Sequence, residues 1–418
     1  MLMVGRVIIC GLLFSMNVAA QEVATPDSVH VQGSVSMKDS TKTLMGRLKQ
    51  LQAFLDKRAK KKVDPNYIEV PDKPWRVMLR FKESMVQVDY DNSMVEPNAP
   101  QNHLDWSLCF KPPVATSIGF WVGYRGTGIS YSFPITKKSG RQFSISSTGA
   151  KYGFNFRLRR FSTDETTFSS QIVVDGKTVD EYSEESHMYS AAWIRSVYVN
   201  GYYVFNGRRY SQAAAYNQSV IQRRSAGSFL LGATWYQSSF DYSDPANEGI
   251  IFFGNNVSRI KLHQANIGVG YGINWVPVRG LVVNLRAMPT ISVYNRVKVY
   301  KYKSNYNFFA APDGEDYGTW NPETHKWANG KEQKPLEMAI NESEGWEWLD
   351  TIELWGSEED VTYSMMKLNV DLRMGIAYNW KDWFVNLQAQ FNNFNYSKEE
   401  SKVNLFDAYA RFSLGVRL

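Results

Sequence analysis

The sequence predicts an all-β protein: a transmembrane, antiparallel, up-and-down β-barrel of about 12 strands, within a range of roughly 10–14, preceded by a short basic amphipathic helix. Three observations predict it. Beyond residue 74, large apolar residues recur at every second position in segments of roughly 9–11 residues, the length that crosses a bilayer when tilted. The N-terminus reads as an export signal. Between the apolar positions runs a stripe of glycines and charges of both signs, which suits a narrow interior.

Composition narrows the alternatives. The chain has 418 residues, 47 Lys+Arg against 41 Asp+Glu, and 44% hydrophobic residues. Its 13 Trp, 24 Tyr and 23 Phe supply enough apolar area to exclude disorder over most of the length. Of the two cysteines, Cys10 lies in the leader, so Cys109 has no internal disulfide partner. No run of about 18 apolar residues follows the leader, which excludes a spanning helix.

Residues 1–20 read as a signal peptide. Arg6 is basic, Val7 to Phe14 is apolar, and Asn17-Val18-Ala19-Ala20 offers small residues before a cut at Gln21. Residues 21–63 read as a flexible periplasmic arm carrying a helix over 43–62. Leu44, Leu48, Leu51 and Leu55 there follow helical spacing. The run from Lys57 to Lys62 suits the negative end of that helix. It is either a solvated terminus or a contact for anionic lipid headgroups or another envelope polyanion. Export excludes nucleic acid as its partner. Pro65, Pro71 and Pro74 stop the helix, and the barrel domain is expected over 64–418.

Strand patterns follow in order. Trp75, Val77, Leu79 and Phe81 alternate with Arg76, Arg80 and Lys82. Leu104, Trp106, Leu108 and Phe110 repeat the stripe, then Ile118 to Tyr124, Ile129 to Ile135, and Tyr152 to Leu158. Phe229 to Trp235, Ile267 to Trp275 and Leu281 to Leu285 continue it. Leu368 to Trp380, Val385 to Phe391 and Ala410 to Leu418 complete it. Turn chemistry falls at Gly126-Thr127-Gly128, Asn200-Gly201, Asn206-Gly207 and Arg279-Gly280. Longer insertions are expected at about 160–192, 237–262 and 295–362, facing the cell exterior.

Alternation alone does not separate a membrane barrel from a secreted soluble β protein, since both have one apolar face per strand. The export signal, the small and charged polar stripe and the final strand favour the membrane. Each apolar stripe should then face lipid. The lumen should be largely filled, with Arg76, Arg80, Arg157, Arg286, Asp371 and Arg373 among its charges.

The stretch Val204-Phe205-Asn206-Gly207-Arg208-Arg209-Tyr210-Ser211, with Ala213-Ala214-Ala215-Tyr216-Asn217 and Gln222 to Gly232, resembles an uncharacterised family of Bacteroides-type Gram-negative bacteria. That family is domain of unknown function 4421, regarded as outer-membrane barrels. Asp64 to Lys82 resembles the start of the same domain. The resemblance spans about residues 50–418. It implies an outer-membrane location and fold, and no activity or functional residues. Read by itself, Asn206-Gly207 suits a hairpin turn. Arg208, Arg209, Arg223 and Arg224 form a cationic cluster, either a rim or lumen cluster paired with carboxylates such as Asp371 or an anion site.

Catalytic chemistry is sparse. His103, His187 and His263 are the candidate bases, but Ser107 lies about 13 Å from His103 along one strand. No metal spacing, P-loop or dinucleotide fingerprint occurs, and no cofactor is expected. Residues 301–360 hold 14 Asp/Glu against 5 Lys, a local charge of −9. They also hold Trp320, Trp327, Trp346, Trp348 and Trp355. This loop packs on itself, meets glycan or protein, or holds a cation at acids such as Glu358, Glu359 and Asp360, although no Asp-x-Asp-x-Asp-Gly spacing supports the last. The functional expectation is a non-enzymatic outer-membrane protein (narrow channel, surface-binding or structural), monomeric. The alternative is a barrel enzyme acting on lipid or glycan.

Overall fold

A computed structural model describes residues 46–47, 49–57, 63–96, 99–135, 140–304, 320–321, 324, 326–328, 330, 353–364, 366–398 and 400–418. The expected signal peptide, the arm over 21–42 and Arg58 to Lys62 lie outside the described residues. Two compact units meet at Gln52 and Ala53. In the first, residues 46, 47 and 49–52 are helical; in the second, so are residues 53–57.

The second unit is a wall of strands. β1 (Ile68–Glu69) is short, and β2 (Trp75–Glu96) is the first long strand. β3 (Ala99–Phe110) and β4 (Ala115–Tyr124) run back along it end to end. β5 (Thr127–Pro134) and β6 (Arg141–Thr148) make a short hairpin, β7 (Tyr152–Val174) and β8 (Lys177–Val204) a long one. β9 (Ile221–Gln222) pairs with β1. β10 (Ala226–Asp241), β11 (Val257–Trp275) and β12 (Leu281–Ser304) follow. β13 (Trp320–Asn321) pairs only with β14 (Lys326–Trp327). β15 (Leu354–Tyr363), β16 (Leu368–Trp380), β17 (Trp383–Lys398) and β18 (Ser401–Arg417) complete the chain.

Among the described residues, 12 antiparallel strands close a ring in the order β2-β4-β5-β6-β7-β8-β10-β11-β12-β16-β17-β18. Closure leaves no open edge, as hydrocarbon requires. Further along the strands, the ring is drawn differently. β3 pairs with β2 on one side and β7 on the other, so the β5–β6 hairpin is bypassed. β15 replaces β16 beside β12. Between β15 and β17, the Ser364 hydroxyl donates to the Ser397 carbonyl at 2.6 Å, and the Tyr396 hydroxyl meets Thr362. This second storey has ten strands, β2, β3, β7, β8, β10, β11, β12, β15, β17 and β18. Pro112, Pro113 and Pro134 lie at the step between storeys, where a residue without an N–H blunts a free edge.

The two storeys have opposite polarity. In the first, Phe120, Leu231, Ile267, Leu285, Leu372 and Phe412 point outward and are exposed, while Arg80, Arg157, Arg286 and Asp371 are buried inside. In the second, Val86, Val88, Leu108, Phe110, Phe240 and Leu262 belong to a buried core inside the ring. Their neighbours Gln87, Asp89, Asp105 and Ser107 face out. The expectation that every apolar stripe faces lipid therefore fails for Leu104, Trp106, Leu108 and Phe110, which point inward. The period stays at two while the polarity inverts, because this storey gathers its apolar face into a core inside the ring and leaves its polar face outward.

The expected loop at 160–192 is strand throughout, apart from Asp175-Gly176. Those two residues have φ of 50° and 72°, the left-handed pair that a tight hairpin turn needs. The 237–262 insertion narrows to the connection between Asp241 and Val257, and 295–362 to the residues between Ser304 and Leu354. Asn200-Gly201 is mid-strand rather than a turn, because Asn200 points inward and bonds Thr234 at 2.9 Å. Arg279-Gly280 does turn the chain, with Gly280 at φ 90°.

Candidate functional site

The candidate site is the barrel interior, filled in three layers. At the end where the short turns gather, the connection from Phe205 to Ser225 folds inward instead of crossing from β8 to β10 directly. It contains a helical turn, Ala213–Tyr216, whose alanines are fully buried. Three small side chains let the backbone come close to the wall, and wall amides then satisfy its carbonyls. Asn274 donates to the Ser211 carbonyl at 2.9 Å, and Gln388 to that of Tyr216 at 2.6 Å. Asn217 donates to Gly126 at 3.0 Å. The Tyr216 hydroxyl donates to Asn284 at 2.6 Å, and Asn284 donates in turn to the Tyr210 hydroxyl at 3.0 Å. Buried peptide groups with no partner would be costly, so this amide lining fixes the segment as a plug.

A latch holds the plug from below. β1 pairs with β9, and Ile68 packs with Ala213, Ala214 and Val220. Arg223 meets Glu69 at 2.9 Å and Arg209 meets Asp64 at 3.8 Å, with the Arg209 guanidinium 5.1 Å from the Tyr67 ring. Arg208, Arg209, Arg223 and Arg224 are thus an exposed rim. Asp371 is not their partner. Asn206-Gly207 opens the plug rather than turning a hairpin: Arg209 and Tyr210 donate to the Asn206 carbonyl at 3.1 and 3.0 Å.

Above the plug lies a buried charge layer. Asp371 accepts from Arg286 at 2.5 Å and from Arg373 at 3.0 Å. Arg373 also donates to the Tyr198 hydroxyl at 2.9 Å and to Asn200 at 3.0 Å. Asp407 accepts from Arg157 at 2.6 Å, and the Arg159 guanidinium lies 2.9 Å from the same carboxylate as an ion pair. Arg76 and Arg80 approach the Trp121 ring at 5.8 and 5.2 Å. Gly123 and Gly128 leave the room for that indole, since a Cβ at either would collide with it. The third layer is the apolar core of the second storey.

Arg76, Arg80, Arg157, Arg286, Asp371 and Arg373 are all buried in the barrel interior. Sequence reasoning missed Asp407 and the plug. Asp407 shares the odd-numbered polar stripe of Arg411, Ser413 and Arg417, which was the available signal.

The three histidines sit on different strands. His103 lies 3.5 Å from Asp105, and the Ser93 hydroxyl donates to the same carboxylate at 2.5 Å. A nucleophile needs the histidine between hydroxyl and carboxylate; here the carboxylate is between. Ser107 donates to Asp91 at 2.6 Å. Among the described residues, no group of three His, Cys, Asp or Glu could hold a metal ion. Trp355 is exposed at the base of the acidic loop. Trp346, Trp348 and the side chains of Trp320 and Trp327 lie outside the described residues.

An apolar outer belt, a closed ring and a polar, filled interior define a β-barrel of the outer-membrane type. The chain belongs to the family described as Domain of unknown function (DUF4421), whose model matches residues 62–417. Among solved structures, the chain is similar to the outer membrane protease OmpT of Escherichia coli, at 8% identity and TM-score 0.39, covering 83% of this chain and 97% of that one. It is also similar to the translocator domain of the autotransporter NalP from Neisseria meningitidis, at 6% identity, TM-score 0.27, and 91% and 98% coverage. An outer membrane channel from Pseudomonas putida F1 matches at 9% identity, TM-score 0.27, with 85% and 100% coverage. No curated protein matches in sequence. At such identities no activity passes from any of them to this chain.

Proposed function

We propose that this chain is an exported outer-membrane protein with a closed barrel, acting as a structural or surface-binding element and not as a conduit or an enzyme. The plug carries the reading, because Ala213–Tyr216 and its flanks are bonded to the wall by Asn274, Asn284 and Gln388 and are buried with it. Export begins with cleavage after Ala20, and the Lys57 to Lys62 run meets anionic headgroups on the inner side. The second storey and the acidic loop at 301–360 then stand outside, where Trp355 and its neighbours contact glycan or protein.

The test is conductance in a planar bilayer. The full chain is expected to stay silent. A variant lacking residues 207–224, bridged by a short glycine linker, should keep heat-modifiable mobility and conduct. Steady conductance from the intact chain would overturn the closed-barrel reading.

A further inference from the structure

Where the outer belt ends, the wall carries three arginines that have no acidic partner of their own. Arg141 on β6 is directly opposite Arg160 on β7, which is directly opposite Arg195 on β8. All three side chains are exposed. Like charges in directly opposed positions destabilise a sheet. In the groove beside them Asp241 is engaged by Arg259 at 3.0 Å, and on β12 Lys298 pairs with Glu359, while Lys261 donates to the Tyr300 hydroxyl at 3.0 Å and extends the cationic strip. Among the described residues, Arg141, Arg160 and Arg195 make no such pair.

Their height is informative. Immediately below them on the same strands are Phe143, Leu158 and Val197, the top of the apolar belt. The chain from Arg195 to Phe205, at the rim of the plug, covers about 33 Å of strand, or about 25 Å of height once tilted, the thickness of an outer-membrane apolar band. The three guanidiniums therefore lie where headgroups begin. They border a groove of about 500 Å³ whose walls include Tyr131, Leu158 and Trp193. The Arg160 guanidinium stacks 4.2 Å from the Trp193 ring, which leaves its N–H edges free to turn outward. The patch is one-sided, since β2 has Glu83 and β17 has Asn393 at the equivalent crossover.

We propose that Arg141, Arg160 and Arg195 form an external binding site for the phosphate-bearing headgroup of an outer-leaflet lipid. The groove receives the apolar part, and the three guanidiniums, on strands about 4.8 Å apart, donate to phosphate oxygens. The inference rests on the membrane-spanning reading, so the experiment separates the two.

The full-length protein in dodecylmaltoside micelles is offered diphosphoryl lipid A, monophosphoryl lipid A, phosphatidylcholine or inorganic phosphate, and bound lipid is counted by native mass spectrometry. The intact chain should retain diphosphoryl lipid over phosphatidylcholine. The variant R141Q/R160Q/R195Q, folded by the heat-mobility criterion, should lose that preference by about a hundredfold. Equal retention of all lipids, unchanged retention by the variant, or equal competition by inorganic phosphate would each overturn the site while leaving the barrel in the membrane. A protein that stays monomeric without detergent would instead remove the spanning reading itself.

Discussion

Asp371 lies between two guanidiniums, those of Arg286 and Arg373, with almost no water around it. Each cation would be costly inside the barrel alone, and the carboxylate is what makes both tolerable. Asp371→Asn should therefore destabilise the barrel by about 3–5 kcal/mol, read as a fall in the urea midpoint of the protein refolded into lipid vesicles. An unchanged midpoint would mean that water reaches the pair. At this scale the sequence was partly legible. Arg286, Asp371 and Arg373 share one parity with their polar neighbours, so their common interior followed from pleat geometry. Which cation meets which anion did not follow, because opposition across a lumen depends on closure. Hence Arg223 bonds Glu69 and Arg209 lies opposite Asp64, and neither meets Asp371.

The elements tell a similar story about turns. Asp175-Gly176 bears a strong hairpin signal, yet polar strands on either side of it resembled a loop. Their outward side chains are polar because that stretch of wall keeps its apolar residues for the core of the second storey. Gly176 holds φ at 72°, so Gly176→Val should cost about 1–2 kcal/mol. The loss should appear as faster amide exchange at the β7–β8 tip, with the belt strands unaffected; uniform loosening of the barrel would count against this account. Asn206-Gly207 carries the same kind of signal and does something else. The residues after it, small and amide-rich, have a better alternative than a tight turn: a lumen lined with Asn274, Asn284 and Gln388. That competition is tertiary and has no local signature.

On the scale of the whole molecule, the cost of a substitution depends on storey. An arginine in place of Leu231 on the belt should cost about 2–4 kcal/mol, whereas one in place of Gln87 should stay within about 0.5 kcal/mol. Leu108→Ala, inside the second storey, should cost about 2–5 kcal/mol as a cavity in a soluble core. Denaturant midpoints in vesicles check all three, and equal penalties at Leu231 and Gln87 would contradict the inverted polarity. The sequence displayed both storeys as the same period of two. What distinguishes them is an exchange of parity within one strand: on β2 the apolar residues are odd-numbered from Trp75 to Phe81 and even-numbered from Val86 to Tyr90, and short windows do not show it.

The early end of the β5–β6 hairpin takes two strands out of the circumference, about 10 Å at the usual strand spacing. The wall consequently has a ledge where the broader cylinder meets the slimmer one. A ledge of this kind acts as a depth gauge. Sinking further would carry the polar outer face of the second storey, Gln87, Asp89 and Asp105 among it, into hydrocarbon; rising would bring the belt into water. On the membrane-spanning reading, the protein's seating along the bilayer normal is in this way set by where one hairpin stops short of its neighbours.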